Sequence, residues 1–198
     1  MSATHFVGID PGFTGALATL NYMGEHIEVY DLPTTGDGKA REFDLDGLME
    51  LIRNRVAALP KPSVVLEWPT TRPGEGAERS ERFGRGKGYL HALLHFLRLD
   101  YSLVAPNTWK SRLGLPGKTV DGALDQCAAA VDRYYPKAAN MIRGPRGGLL
   151  SGRIDAIMLA HYARLGSVDG LRGVVEQYGR GSPEAMSVLF RGRPQRLR

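Results

Sequence analysis

The stretch His5–Leu20, HFVGIDPGFTGALATL, decides the fold. It begins as an apolar run that ends in a carboxylate, Asp10, breaks at Pro11 and Gly12, and resumes with small and apolar residues. This pattern predicts two strands joined by a tight turn. A carboxylate at the end of a buried strand is costly unless it binds a cation, accepts hydrogen bonds or reaches water. Asp10 is therefore the first candidate functional residue.

Two other acids occupy similar places. Glu67 ends the strand-like run SVVLE, and Asp155 lies near the start of the predicted helix SGRIDAIMLAHYARL. Each acid has an ordinary explanation when it is taken alone, because Asp10 can begin an Asx turn, Glu67 can be a solvated strand end, and Asp155 can complement a helix dipole. Together, in this order, the three acids predict a carboxylate cluster for a divalent metal.

The elements between these acids predict a mixed sheet. Residues 26–32 predict a third antiparallel strand, and Asp44 can cap a helix whose apolar residues recur every three or four positions up to Leu59. A strand that follows a helix favours a right-handed crossover and parallel pairing with the first strand. Asp10 and Glu67 would then lie side by side at one edge of the sheet.

The middle of the chain is expected to begin with a loop over Thr70–Lys87, which is rich in glycine and arginine. A broadly apolar helix over Gly88–Leu99 follows, and its apolar surface favours either a central position or contact with a second subunit. His91 and His95 are four residues apart, but no third ligand lies near them in the sequence, so a polar flank or a subunit contact is favoured over a metal site. Leu99–Ala105 predicts a further strand.

Charge indicates a polyanionic partner. The chain carries 26 Lys and Arg against 21 Asp and Glu. Its length of 198 residues fits one domain. Residues 133–154 hold five basic residues and no acid, and residues 179–198 hold five arginines against one glutamate. Such blocks suit nucleic acid, with a solvated tail as the alternative for the second block. We expect a domain over residues 1–166 and a basic extension over 167–198.

Composition also limits the class of protein. The single cysteine, Cys127, excludes a disulfide framework and a cysteine-rich zinc site. The sequence contains neither a signal peptide nor a run of about 18 apolar residues. These observations predict a soluble, cytoplasmic protein without a membrane partner.

Five stretches, taken in order, resemble motifs of RuvC-type Holliday-junction resolvases, and specifically the branch found in phages and chloroplasts. They are GIDPGFTGALA, VLEWPTTRPGEG, FGRGKGYLHALL, APNTWKSRLGLPGK and SGRIDAIMLAHYARL. The resemblance spans His5–Leu165. It implies an α/β fold of the RNase H-like type, a mixed sheet flanked by helices, in a bacterial or phage-infected cell.

The resemblance also implies site residues. Asp10, Glu67 and Asp155 match three of the family's four catalytic, metal-binding acids, with Asp10 bridging two Mg²⁺ ions, for which Mn²⁺ can substitute. Basic residues are expected on the DNA backbone, two of them near the cut (Lys110, Lys118) and the others along the strands (Lys87, Arg143, Arg146, Arg153).

One position departs from the family pattern. The fourth acid usually lies three or four residues before the last one, where this chain has Gly152 and Ser151. An acid at 151 would share a helix face with Asp155, whereas serine is neutral and a good N-cap. Three carboxylates suffice, or metal binding is weakened, or the sequence is an inactivated variant.

The implied activity is cleavage of opposed strands of a four-way DNA junction by a symmetric homodimer. Three alternatives remain at this point. One is a nuclease of the same fold that acts on flaps, forks or RNA hybrids, and another is a junction-binding protein with weak activity because of Ser151. The third is an actin-like sugar kinase, suggested by GIDPGFTG, although 198 residues leave no room for a second nucleotide lobe.

Overall fold

The computed structural model describes residues 3–70, 76–117 and 120–167, apart from the side chains of residues 39, 77–79 and 82. The predicted phosphate contact Lys118 and all but the first residue of the predicted basic extension, 167–198, lie outside the described residues.

A mixed sheet forms the centre of the described part. Its strands are β1 (His5–Ile9), β2 (Ala16–Asn21), β3 (Ile27–Asp31), β6 (Pro62–Glu67) and β7 (Asp100–Val104), in the order β3-β2-β1-β6-β7. The pairs β3-β2 and β2-β1 are antiparallel, whereas β1-β6 and β6-β7 are parallel. The predicted meander and the predicted parallel pairing are both confirmed, and the described residues form the mixed α/β sheet flanked by helices that the motif resemblance implies.

Helices cover both faces of this sheet. They are α1 (Leu45–Ile52), α2 (Ala77–Phe96), α3 (Pro106–Leu113), α4 (Ala123–Tyr134) and α5 (Ser151–Leu165). One apolar cluster joins α1 and α2 to one face, and a second cluster joins α3, α4 and α5 to the other. Among the described helices, none is both long and apolar enough to cross a membrane.

Helix α5 is the central helix of the molecule, since nearly all of its residues are buried. It lies directly on β1 at Gly8, where an added Cβ would be 2.2 Å from the carbonyl oxygen of Ala156 and 2.3 Å from the amide nitrogen of Ala160. Only glycine permits this approach, because those neighbours are backbone atoms. The glycine inside the first motif therefore sets the depth of α5 on the sheet.

The predicted loop over Thr70–Lys87 is wrong in its second half, because α2 begins at Ala77. Glycine weakens a helix by about 1 kcal/mol per residue relative to alanine, which is why this stretch resembles a loop. Side-chain contacts nevertheless stabilise a helix here. Arg85 pairs with Glu42, outside the helix, at 3.0 Å and with Glu81, one turn earlier in the helix, at 3.8 Å. Gly86 packs so closely on Phe43 that an added Cβ would lie 2.4 Å from its ring.

The predicted cap of α1 is confirmed, since Oδ1 of Asp44 accepts a hydrogen bond from the N–H of Gly47 at 3.0 Å. The helix continues as a single wider turn over Arg53–Ala57. Before α1, the chain forms a small antiparallel pair, β4 (Thr34–Thr35) with β5 (Glu42–Phe43), which sequence patterning does not indicate. This pair places Phe43 against α2.

His161 on α5 is buried, with its Nδ1 atom 2.7 Å from the hydroxyl of Tyr135 and its ring stacked on Tyr134 at 4.6 Å. The sequence predicts a core histidine here rather than a metal ligand, and the contacts agree. Burial, reinforced by the positive charge of Arg164, lowers the pKa of His161 to about 3.

Because this histidine is buried, the free energy of unfolding should decrease as the pH is lowered. The unfolded chain binds a proton near pH 6.5 whereas the folded chain does not, so we expect the free energy of unfolding to drop by about 2 kcal/mol between pH 7 and pH 5. In His161→Gln the drop should be much smaller, as measured by urea unfolding at both pH values. Tyr135→Phe is the control, because it lowers stability without removing the titrating group. An unchanged pH dependence in His161→Gln would contradict this assignment.

Candidate active site

Asp10 and Glu67 lie side by side at one edge of the sheet. Strands β1 and β6 pair in parallel with Ile9 opposite Leu66, so the next residue on each strand is one of these acids. Asp10 is partly buried, and its Oδ1 accepts a hydrogen bond from the N–H of Gly12 at 3.3 Å, which is the Asx-turn contact. Asp10 therefore forms the Asx turn and also lies beside Glu67.

Asp155 reaches the same edge from helix α5, which packs on one face of the sheet. It precedes Ala156, whose carbonyl oxygen contacts Gly8 on β1, so the packing of α5 carries Asp155 to the end of that strand. The carboxylate is 4% exposed and its Oδ1 lies 3.2 Å from Nζ of Lys110, which is equally buried. Since a buried charge requires a partner, this ion pair stabilises both groups.

Glu67 is also held by helix α3. Its side chain is 4% exposed, and its Oε1 accepts a hydrogen bond of 2.9 Å from the indole N–H of Trp109, which is fully buried. Trp109 is the immediate neighbour of Lys110. Two consecutive residues of one helix thus contact two acids that come from different elements.

The donor chemistry of this site fits a hard divalent cation. Three carboxylates (Asp10, Glu67, Asp155) converge on a sheet edge where Lys110 supplies one positive charge, and oxygen donors are the ligands that Mg²⁺ prefers. Within the described residues, no three His, Cys, Asp or Glu side chains are gathered closely enough to hold an ion as they stand. The three side chains are therefore of the chemical type that Mg²⁺ prefers, and they belong to the same edge of the sheet. Trp109 sets the present orientation of Glu67, and Lys110 sets that of Asp155.

The absence of a fourth acid has a steric explanation at position 152, one of the two positions where the family usually has it. An added Cβ on Gly152 would lie 2.0 Å from the carbonyl oxygen of Thr14 and 2.8 Å from Cα of Gly15. Position 152 therefore cannot carry an acid without displacing the turn after β1. Ser151 is exposed and is the first residue of α5, so the prediction that it is the N-cap is wrong: Leu150 occupies the N-cap, without a side-chain cap.

Lys87 contacts the chain that leaves β6, since its Nζ donates a hydrogen bond of 2.8 Å to the carbonyl oxygen of Pro69, two residues after Glu67. The ammonium also lies 4.7 Å from the ring centre of Trp68. The same ring is in edge contact with His91, whose ring centre lies 5.3 Å away. The contacts of Lys87 thus tie α2 to the chain that leaves β6.

Two of the predicted DNA-binding arginines are engaged in bidentate ion pairs. Arg143 donates to both carboxylate oxygens of Asp132 at 3.1 and 2.7 Å, which lowers the pKa of that acid. Arg153 donates to both oxygens of Asp31 at 2.6 Å and to the carbonyl oxygen of Met141 at 2.9 Å. Arg143 thus fixes the loop that precedes α5 to α4, and Arg153 fixes the first turn of α5 to β3 and to that loop.

Arg146, by contrast, is exposed at a turn in which the N–H of Gly147 donates to the carbonyl oxygen of Gly144 at 2.9 Å. The predicted roles of the basic residues on DNA stay predictions. The geometry nevertheless separates Arg146 on the surface from Arg143 and Arg153, whose charges are already partnered.

No protein-family model matches the chain, and no curated protein does. Solved structures are similar to it. Thermus thermophilus RuvC is 21% identical, with a TM-score of 0.47, over 82% of this chain and 97% of that chain. The complex of T. thermophilus RuvC with a Holliday junction substrate is 20% identical, with a TM-score of 0.49, over 82% of this chain and 96% of that chain.

Neither likeness assigns a role to any side chain, and the roles are argued from the contacts within this chain. The narrower resemblance to the phage and chloroplast branch stays a prediction from the motifs.

Sequence reasoning missed Trp109 as a member of the site. A signal exists, because a tryptophan on a short helix that follows a strand usually places its N–H against an acceptor when it is buried. The acceptor could not be named without knowing that the start of α3 lies beside the end of β6.

Proposed function

We propose that this protein is a structure-selective endonuclease that resolves four-way DNA junctions by metal-dependent phosphodiester hydrolysis on opposed strands. The observation that supports this most directly is the position of Asp10 and Glu67 at the adjacent ends of β1 and β6, with Asp155 on the helix that packs on β1. The four-way junction as substrate follows from the five motifs that resemble RuvC-type resolvases.

In this proposal Asp10, Glu67 and Asp155 hold divalent ions, Mg²⁺ first and Mn²⁺ as a substitute. When bound, a pair of such ions stabilises the charge on the attacking and leaving oxygens of phosphodiester hydrolysis. The chain contributes orientation: the Asx turn at Gly12 fixes Asp10, and Trp109 fixes Glu67. Lys110, which pairs with Asp155, keeps a positive charge at the place where a phosphate would approach.

A homodimer would supply two sites for opposed cuts. Helix α2 supports this part of the proposal, because its inner face is buried while Phe96, near its C-terminal end, is 79% exposed. A large exposed aromatic side chain of this kind is enriched at protein interfaces. Sedimentation at micromolar concentration tests the assembly, and a monomer that binds duplex and junction equally would contradict the junction-specific proposal.

The surface arginine provides a separate test of DNA binding. Arg146→Ala should weaken binding to every DNA and reduce the slope of log affinity against log salt by about 0.9, because one phosphate contact releases about that many counterions. Arg143→Ala should reduce the slope less, since its guanidinium is committed to Asp132. Preference for junction over linear duplex should persist in both variants.

Titration of labelled junction and duplex at several salt concentrations measures these slopes. An unchanged slope for Arg146→Ala would show that this arginine does not contact phosphate. A larger slope change for Arg143→Ala than for Arg146→Ala would mean that the pair with Asp132 opens on DNA.

A second candidate is a junction-binding protein with weak cleavage, which the ion pair of Lys110 with Asp155 and the absence of acids at 151 and 152 favour. A nuclease for other branched DNA would use the same acids. One experiment separates the three: the protein is incubated with a synthetic four-way junction, a flap and a linear duplex, with and without Mg²⁺, and the strands are resolved on a denaturing gel. Symmetric nicks in the junction alone support resolution.

A further inference from the structure

We propose that Trp109 is a positioning residue for the reaction: its indole N–H holds the Glu67 carboxylate in the orientation that the site requires. This inference rests on the proposed metal-dependent cleavage and names a residue that the motif resemblance does not assign. The hydrogen bond is 2.9 Å long, and both side chains are buried.

The chemistry of the pair favours a fixed orientation. The indole is a donor only, and the carboxylate is an acceptor only, so the contact cannot be inverted. A hydrogen bond to a charged acceptor is about twice as strong as one between neutral groups. The full burial of Trp109 removes the alternative in which its N–H bonds to water. Rotation of the Glu67 carboxylate would therefore leave a buried donor without its acceptor, which is costly.

The backbone makes the donor rigid. Glu67 on β6 lies opposite Val104 on β7, and the N–H of Trp68 donates to the carbonyl oxygen of Val104 at 2.8 Å. Ala105 is the N-cap of α3, and Pro106 at its first position fixes the start of that helix. Only one cap residue thus separates the strand partner of Glu67 from the helix that carries Trp109.

Trp109 also affects the second acid. Nζ of Lys110 lies 4.9 Å from the ring centre of Trp109 and 3.2 Å from Oδ1 of Asp155. The face of the ring thus attracts the ammonium, while its N–H holds Glu67. Phenylalanine removes the N–H and keeps an aromatic ring beside Lys110, so Trp109→Phe should disturb Glu67 more than the Lys110 contact.

The test is Trp109→Phe, with cleavage measured under saturating junction and varied Mg²⁺. Groups that orient metal ligands typically affect activity or metal affinity about 10–100-fold, so we expect kcat to fall within that range while junction Kd stays unchanged. A fall in kcat without a change in Kd is the signature of positioning. Equal kcat and equal Mg²⁺ dependence in the variant and the wild type would overturn the proposal.

A second measurement needs no cleavage. The chain has two tryptophans, so Trp68→Phe leaves Trp109 as the one indole. Mn²⁺ added to this DNA-free protein should quench its fluorescence with saturation, and Glu67→Gln in the same background should weaken the quenching. Quenching that is unaffected by Glu67→Gln would contradict the proposal, even if Trp109→Phe proved unstable.

The two measurements also separate this inference from the proposed function. If the wild type cuts no junction but the Mn²⁺ titration depends on Glu67, then the proposed function fails while Glu67 beside Trp109 remains an ion ligand. If the wild type cuts and Trp109→Phe cuts equally well, then only the positioning role fails.

Discussion

Replacing Asp10 by asparagine is expected to abolish junction cleavage while junction binding survives. Asparagine keeps the oxygen that accepts the hydrogen bond of Gly12, so the turn after β1 should persist. The lost negative charge removes one of the three proposed ion ligands. Because metal ions contribute several kcal/mol to such reactions and about 1.36 kcal/mol corresponds to a tenfold change in rate, we expect cleavage to fall roughly a thousandfold or more.

The control for this variant is Asp46→Asn, which changes an exposed aspartate in the first turn of α1, in the helix layer on the opposite face of the sheet from α5. It should cut at the wild-type rate. Both variants are compared with the wild type in single-turnover cleavage of a labelled junction and in a binding titration in Ca²⁺. Near wild-type cleavage by Asp10→Asn would remove this residue from the site and, with it, the main support for the proposed nuclease.

The parts of the fold that follow from local patterns were predictable from the sequence. The apolar run of β1 with an acid at its end, and the apolar strand that follows a helix and ends in Glu67, led to a parallel pair with adjacent carboxylates, as observed. The cap at Asp44 follows from a side chain and one turn of backbone. In each case neighbouring residues in the chain carry the whole physical reason.

The parts that were missed depend on contacts between distant residues. The first half of α2 is stabilised by contacts of Arg85 with Glu42 and of Gly86 with Phe43, whereas its glycines and charges alone point to a loop. The contact of Trp109 with Glu67 joins residues 42 positions apart. The ion pair of Arg143 with Asp132 likewise turns a basic surface residue into a loop anchor. Charge and propensity describe what a residue can do, and packing decides which partner it meets.

The absence of a fourth acid leads to the second large prediction, in which the same new side chain is placed at two adjacent positions. Gly152→Asp should strongly destabilise the protein, because the new Cβ would meet the backbone of Thr14 at 2.0 Å. Overpacking of this kind costs about 3 kcal/mol or more when rigid backbone must move, which corresponds to a loss of roughly 10 °C in Tm. Ser151→Asp should fold normally, since position 151 is exposed at the start of α5.

Thermal unfolding of the two variants tests the packing, and cleavage by Ser151→Asp tests the chemistry. An acid at 151 lies one helical turn before Asp155 and adds a fourth carboxylate near it, so the Mg²⁺ concentration for half-maximal cleavage should fall. Its charge is also stabilised by the positive end of the α5 dipole. Ser151→Asn, which has nearly the same shape without the charge, should leave that concentration unchanged. A wild-type Tm for Gly152→Asp would contradict the steric explanation. An unchanged or raised Mg²⁺ requirement for Ser151→Asp would mean that Asp10, Glu67 and Asp155 are the full working set of carboxylates in this chain.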